Sequence, residues 1–306
     1  MRHRRICCIG YSTDDTFLYT VKRFERIAAV TPTILDLAKV TSSAPFWFHY
    51  EDHRPVVFVR VGSYRFELDR SMAVYQRLIP ATSKLNTGDP RYRALKSAEY
   101  AASALLDTKF FRAVVNPQLA GWSNGLRPVH YRELAAIGFR VPDYVVTSDP
   151  DDAREFLARY EQVHVKSVSH HRTIARSLNS ERLVSLQKVR FSPCVFQQTI
   201  RGTDVRVHVV EGKCFAVAIE SDVDDYRYPA GADLKFSVVQ PPRTVRELCV
   251  LATKRAGLVL SGIDFKVCAL TNDWYCLEVN PMPGYSGYDM RLGGVISEAL
   301  TETLEG

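Results

Sequence analysis

The stretch with the most chemistry in it is GIDFKVCALTNDWYCLEVNP, residues 262–281. Thr271, Asn272 and Asp273 carry turn chemistry between two apolar segments, which predicts a β-hairpin. With Leu270 set opposite Trp274, Asp264 falls opposite Asn280 and Lys266 opposite Glu278. Strand side chains alternate, so Asp264, Glu278 and Asn280 share one face, while Ile263, Phe265, Val267, Leu277 and Val279 take the other. Directly opposed side chains lie about 5 Å apart. Two carboxylates and an amide oxygen at that spacing are hard donors of the kind Mg2+ prefers, its remaining positions going to water or phosphate oxygens. The same pattern also fits a solvent-facing hairpin with a Lys266–Glu278 ion pair. A one-residue slip in register would send these side chains elsewhere.

Other polar residues sit on apolar segments where chemistry and packing compete as explanations. Lys166 in VHVKSV could snorkel to the surface. Arg206 alternates with Val205 and Val207, the pattern of a half-buried strand. His170 and His171 lack a second ligand cluster. Asp222, Asp224 and Asp225 lack the Gly and Glu spacing of a calcium loop. Cys194 has no base partner in the sequence and reads as packing. GYSGY brings its second glycine one residue too early for a nucleophile elbow. A phosphate-binding G-x-x-x-x-G-K-[ST] is absent, and so is a dinucleotide fingerprint.

These residues need a frame. RRICCIGY reads as a buried strand, FLYTVKRFERIAAV as a helix and TPTILDL as a second strand, a β-α-β opening. Residues 45–68 alternate aromatic and polar side chains and predict hairpins. PRYRALKSAEYAASALLD predicts a long helix, and RAVVNP a strand ending in a turn. RPVHYRELAAIGF predicts a helix stopped by Gly138, VPDYVVTS a strand, and DPDDAREFLARY a helix with acidic residues in its first turn. Strands follow in CVFQQTI, DVRVHVV and KCFAVAIE. Then come an irregular acidic segment, SDVDDYRYPAGADLKF, the helix TVRELCVLATKRAGL, the hairpin, and a Gly/Pro loop. The expected division is 1–110, 111–195 and 196–306.

The 306 residues are enough for two or three packed units. A net charge of +6 from scattered Lys and Arg makes no dense basic stripe, so no nucleic-acid partner is expected. No apolar run approaches the ~18 residues of a membrane span, and MRHRRICCIGY makes no signal peptide. Seven cysteines with no C-x-x-C pair suggest reduced thiols and a cytoplasmic protein. The aromatic strands carrying Phe46, Trp47 and Phe48 could bury a partner face, as in a homodimer.

LEVNPMPGYSG downstream of GIDF resembles the magnesium-binding end of ATP-grasp enzymes. It looks most similar to the branch of ribosomal-protein glutamate ligases and of ligases that close rings in ribosomally made peptides. Further segments resemble the family in order. VVNP and SNGLRP, then GFRVPDYVVTSDP, look like the start of the central subdomain. VHVKSV looks like its lysine strand, FQQTIRGTDVRVHVV like the adenine hinge, and DDYRY like an Asp-x-Arg stretch on the acceptor side. The resemblance covers about residues 111–300 and is loose before that.

The resemblance implies an α+β ATP-grasp fold, with an N-terminal α/β subdomain and central and C-terminal α+β subdomains around the nucleotide. It implies ATP and one or two Mg2+ ions, Mn2+ being a substitute, held through Asp264, Glu278 and Asn280. Lys166 and Arg127 would contact phosphate. Gln197, Gln198, Thr199 and Ile200 would flank adenine, and Asp204 the ribose. Arg206 and Arg227 would face the transferred phosphoryl group. The implied activity is an ADP-forming carboxylate–amine ligase that works through an acyl phosphate on an amino acid or peptide, as in natural-product biosynthesis. Ring closure of a ribosomal precursor peptide through ester or amide bonds is an alternative, as is an ATP-binding protein without turnover. Two departures stand out. Arg127 occupies the lysine position of SNxxKP, and the phosphate-covering loop, SVSHHRTIAR, has no glycine, leaving Ser169, His171 and Arg172 as substitutes.

Overall fold

A computed structural model describes residues 5–28, 31–79, 86–169, 176–178, 180–221 and 234–306. The chain forms two compact units. One combines residues 1–120, 257–260 and 282–306, and the other residues 121–256 and 261–281.

The first unit is α/β. Its central sheet is wholly parallel, with β1 (Ile6–Gly10), β2 (Thr33–Asp36), β6 (Ala73–Arg77) and β7 (Ala113–Val115) in the order β2-β1-β6-β7. Every residue of β1 is buried, as expected where helices cover both faces of a parallel sheet. Helix α1 (Asp15–Ile27) starts where the Asp14 carboxylate accepts from the Phe17 N–H at 2.7 Å. It buries Phe17, Thr20, Val21 and Phe24, one stripe at helical spacing. Helix α2 (Pro90–Asp107) covers the other face together with an antiparallel sheet of β3 (Trp47–His49), β4 (Val56–Val61) and β5 (Tyr64–Asp69). In that small sheet Val57, Val59, Val61 and Leu68 turn to the core. Phe46 is buried there too and Phe48 packs against it, so of the three aromatics expected to face a partner only Trp47, 48% exposed, is on the surface.

The polypeptide returns to this unit twice. Asn116, at the end of β7, is buried, and its Oδ1 accepts from the N–H groups of Val259 (2.8 Å) and Leu260 (3.1 Å). Its Nδ2 donates to the Leu260 carbonyl at 2.6 Å, so one amide side chain imitates a strand partner. Arg77 ends β6 and is likewise buried. It donates to Asp14 Oδ1 (2.7 Å) and to the carbonyls of Met282 (3.2 Å) and Pro283 (2.8 Å). The short helix α6 (Ser286–Arg291) and α7 (Val295–Glu305) follow and pack on α1, α7 also on β6.

The second unit is α+β. Its first sheet has the order β10-β9-β11-β8, built from β8 (Tyr144–Thr147), β9 (Val163–Ser167), β10 (Arg176–Leu178) and β11 (Cys194–Gln198), with antiparallel neighbours throughout. Helix α4 (Pro150–Arg159) packs on β8, its Phe156 side chain fully buried among Val163, Leu186 and Phe196. Helix α3 (Arg127–Ile137) stops at Gly138, whose φ of +111° suits glycine at the end of a helix. The second sheet runs β14-β13-β12-β15-β16, from β12 (Gly202–Val210), β13 (Lys213–Glu220), β14 (Lys235–Val239), β15 (Leu260–Cys268) and β16 (Trp274–Asn280). Helix α5 (Arg243–Arg255) packs on β12, β13 and β16, and α3 on β16.

Candidate active site on the five-stranded sheet

The hairpin expected from sequence forms, in a different register. Asp264 stands directly opposite Glu278, Asn280 opposite Gly262, and Phe265 opposite Cys276. Sequence pairing had put Asp264 against Asn280 and Glu278 against Lys266. The correction has a physical cause: the register shifts between Asp264 and Phe265, and Leu277 is left without a partner, as in a β-bulge. The inward face is therefore Ile263, Phe265, Cys276 and Val279, all buried, while Leu277 and Val267 are only half-buried. Asp264, Glu278 and Asn280 still share the other face, each half-buried. The bulge brings the two carboxylates into direct opposition, closer than the expected pairing would.

Strand β12 lies on the other side of β15 and completes this face. Arg206 Nη1 meets Asp264 Oδ1 at 2.6 Å, with 7% and 18% of the two side chains exposed. Two residues along, Lys266 Nζ donates to Asp204 Oδ2 at 2.8 Å. Lys266 thus pairs across the sheet with Asp204, where the solvent-face alternative had it paired with Glu278. Cations and carboxylates alternate along a sheet surface shielded from bulk water, where each charge acts strongly on its neighbour. Close approach of β12 to β15 depends on Gly202. With φ at +154°, a Cβ there would lie 1.8 Å from the Val267 carbonyl oxygen.

Strand β16 is the edge of this sheet, and its outward N–H groups are covered by other parts of the chain. Cys276 N–H donates to the Arg140 carbonyl at 2.8 Å, and Val279 N–H to Nε2 of His130 at 2.9 Å. His130 is buried, and its Nδ1 meets Ser123 Oγ at 3.1 Å. Burial pushes its pKa down, while Glu278 and Glu133 pull the other way. Sequence reasoning passed over His130. A lone histidine on an amphipathic helix carries no spacing signal, and its partner is a backbone group.

The four-stranded sheet holds a second cluster. Lys166 on β9 donates to the amide oxygen of Gln197 on β11, a residue almost wholly buried. Tyr131 of α3 is buried, and burial pushes its phenol up to about 12. At the expected hinge, Gln198 N–H donates to Asp143 O (2.8 Å) and Thr199 N–H to Gln162 O (3.1 Å), so these two donors serve the fold. Thr199 Oγ1 meets His164 Nδ1 at 2.8 Å, and Ile200 is buried. Arg127 is buried, and its Nη1 donates to the carbonyls of Ser167 (2.6 Å) and Ser169, while its own N–H donates to Val168 O at 3.0 Å. The guanidinium and backbone of Arg127 therefore fasten the chain at residues 167–169. Arg227, His170, His171, Arg172, Asp222, Asp224 and Asp225 lie outside the described residues.

Among the described residues no three His, Cys, Asp or Glu side chains converge as a metal site. A divalent ion would therefore rely on Asp264 and Glu278 with the amide of Asn280 and oxygens from a bound phosphate. That donor set is hard and anionic and fits Mg2+.

Paired α+β sheets with this charged face define an ATP-grasp fold, and solved structures agree. The ATP-grasp ligase PsnB, complexed with a phosphomimetic variant of its minimal precursor, Mg and ADP, superposes with a TM-score of 0.80 at 22% identity over 98% of each chain. The macrocyclase MdnC of Microcystis aeruginosa MRC, bound with the precursor peptide MdnA, gives a TM-score of 0.81 at 19% identity, over 98% of this chain and 99% of that one. Residues 130–304 match the RimK-like ATP-grasp domain, and the chain belongs to that family. The match covers more than half of the chain and ends two residues before Gly306. A probable alpha-L-glutamate ligase of Shewanella pealeana is 28% identical over 112 residues, 36% of this chain. The chain spans about a quarter (24%) of that relative's length.

Proposed function

We propose that this chain joins a carboxylate to an amine through an acyl phosphate, with an amino acid or peptide as substrate. The observation that carries the reading is the direct opposition of Asp264 and Glu278 beside Arg206 on one sheet face. A carboxylate is a weak electrophile toward an amine. Its oxygen takes the γ-phosphoryl group of ATP as ADP leaves. The amine then attacks the carbonyl carbon and gives up a proton as phosphate departs. Asp264, Glu278 and Asn280 would hold Mg2+, which neutralises phosphate charge and favours in-line transfer. Arg206 would turn from Asp264 toward the transferring phosphoryl oxygens, its planar fork suited to them. Arg227 is assigned the same task by resemblance. Lys166 would contact phosphate with Gln197 fixing its ammonium, Ile200 would flank adenine, and Asp204 the ribose. The division into 1–110, 111–195 and 196–306 belongs to the same proposal.

The experiment is phosphate release screened over amino acids and short peptides, with mass spectrometry of each positive. Asp264→Ala and Glu278→Ala are each expected to lower turnover about a hundred- to a thousandfold while the melting temperature holds. Full activity in either variant removes the metal assignment.

A second reading is favoured by PsnB and MdnC, which match nearly the whole chain and are described with precursor peptides. In it the acid and the amine or hydroxyl belong to one ribosomally made peptide, and the product is a ring. Loss of one water mass per bond on a candidate precursor supports it, and an unchanged precursor with turnover on free amino acids refutes it.

No helix among the described residues is long and apolar enough to cross a membrane. A cytoplasmic setting belongs to the same proposal, on the seven cysteines without a C-x-x-C pair.

A further inference from the structure

We infer that His130 is a positioning residue for the proposed metal strand, acting on Glu278 and Asn280 through the backbone between them. This rests on the metal assignment made above.

The geometry fixes the imidazole's tautomer. Nε2 accepts from the Val279 N–H at 2.9 Å, so Nε2 carries no proton. Nδ1 then carries it and donates to Ser123 Oγ at 3.1 Å. Burial, which lowers the His130 pKa, favours the same neutral form.

Val279 is where such a hold acts on both neighbours. In a regular edge strand outward N–H groups recur every second residue. Here the outward donors are Cys276 and Val279, three apart, because Leu277 is the extra residue of the bulge. The bulge that sets Glu278 against Asp264 thus also turns the Val279 N–H toward α3. A bulged edge has no neighbouring strand to hold its phase, and His130 takes that place. Val279's side chain is buried on one face while Glu278 and Asn280, on either side of it, point to the other. Pinning its N–H sets the pitch of both oxygen donors.

The test separates the two imidazole nitrogens. Glutamine puts its amide oxygen near the place of Nε2, and asparagine reaches only the place of Nδ1. Binding of Mn2+ in the presence of ADP, followed by the paramagnetic resonance of unbound Mn2+, reads the site without turnover. His130→Gln should stay within about threefold of the natural protein, and His130→Asn should weaken Mn2+ binding about ten- to a hundredfold, as for lost supports of metal ligands. Ser123→Ala, which removes the proton acceptor of Nδ1 but keeps the ring, should weaken it less than His130→Asn. Equal effects of Gln and Asn, or an Asn variant that binds like the natural protein, overturn the inference. Should His130→Asn fail to fold, Ser123→Ala decides: unchanged binding overturns the inference, weakened binding supports it. Asp264→Ala is the companion. Retained Mn2+ binding there removes the metal assignment and this inference together. Lost binding there with normal His130→Asn removes this inference alone.

Discussion

Arg127 ties a position proposed to bind nucleotide to the backbone beside it. By resemblance it stands where a lysine would reach the nucleotide, yet its buried guanidinium is spread over the carbonyls of Ser167 and Ser169. A lysine ammonium is a point donor and cannot reproduce that fork. Arg127→Lys should therefore loosen the backbone at residues 167–169, where the segment proposed to cover phosphate begins, and leave the chemical step alone. We expect the KM for ATP to rise about tenfold, the loss of one charge-assisted hydrogen bond of about 1.5 kcal/mol, with kcat nearly unchanged. Steady-state ATP titration checks this, and a fall in kcat with constant KM contradicts it.

Strands were the most legible elements. Alternation and turn residues placed β1, β2, β8, β9, β11, β12, β13 and the β15–β16 hairpin, and helical spacing with capping residues placed α1 to α5. Strand β6 escaped because Gln76 and Arg77 interrupt a five-residue run, and both are buried through tertiary hydrogen bonds that no local rule anticipates. Helix α7 was passed over behind the Gly/Pro loop although VISEALTETLE has an apolar stripe, with Ile296, Ala299, Leu300 and Leu304 buried. The bulge at Leu277 was not readable, because Cys276 and Leu277 are both apolar and either could take the inward face. Asp204, Arg206, Asp264, Lys266, Glu278 and Asn280 are all named from sequence, yet the pairs Arg206–Asp264 and Lys266–Asp204 are not, since the neighbour of β15 across the sheet is set by topology. Gly202 is the element-level weak point. Gly202→Ala should force β12 away from β15 at a cost of about 3 kcal/mol, read as a lower urea midpoint, and should weaken Mn2+ binding in parallel. An unchanged midpoint would mean the strands can part at that position without loss.

For the whole molecule, the two units are woven from one chain that crosses between them repeatedly, and residues 257–260 are a short return to the first. Asn116 secures that return with three hydrogen bonds from a buried side chain. Asn116→Ala leaves buried donors and an acceptor unmatched and should destabilise the first unit by about 3 kcal/mol. Hydrogen exchange would locate the effect: faster exchange at Val259 and Leu260 is expected, with β12 and β13 unaffected. Faster exchange everywhere would instead show that the units unfold together. The three-segment division expected from sequence followed chain order, because composition and motifs are read along the chain.

Arg77 and the residues after 281 carry one more consequence, for the order of events during synthesis. The parallel sheet of the first unit is complete once β7 has emerged, but the carbonyls that Arg77 holds and the helix that packs on β6 are made more than 160 residues later. Until they arrive, of these partners the Arg77 guanidinium has only the Asp14 carboxylate on the nascent polypeptide, an exposed, incompletely paired cation in a state that ribosome-associated chaperones would be expected to recognise.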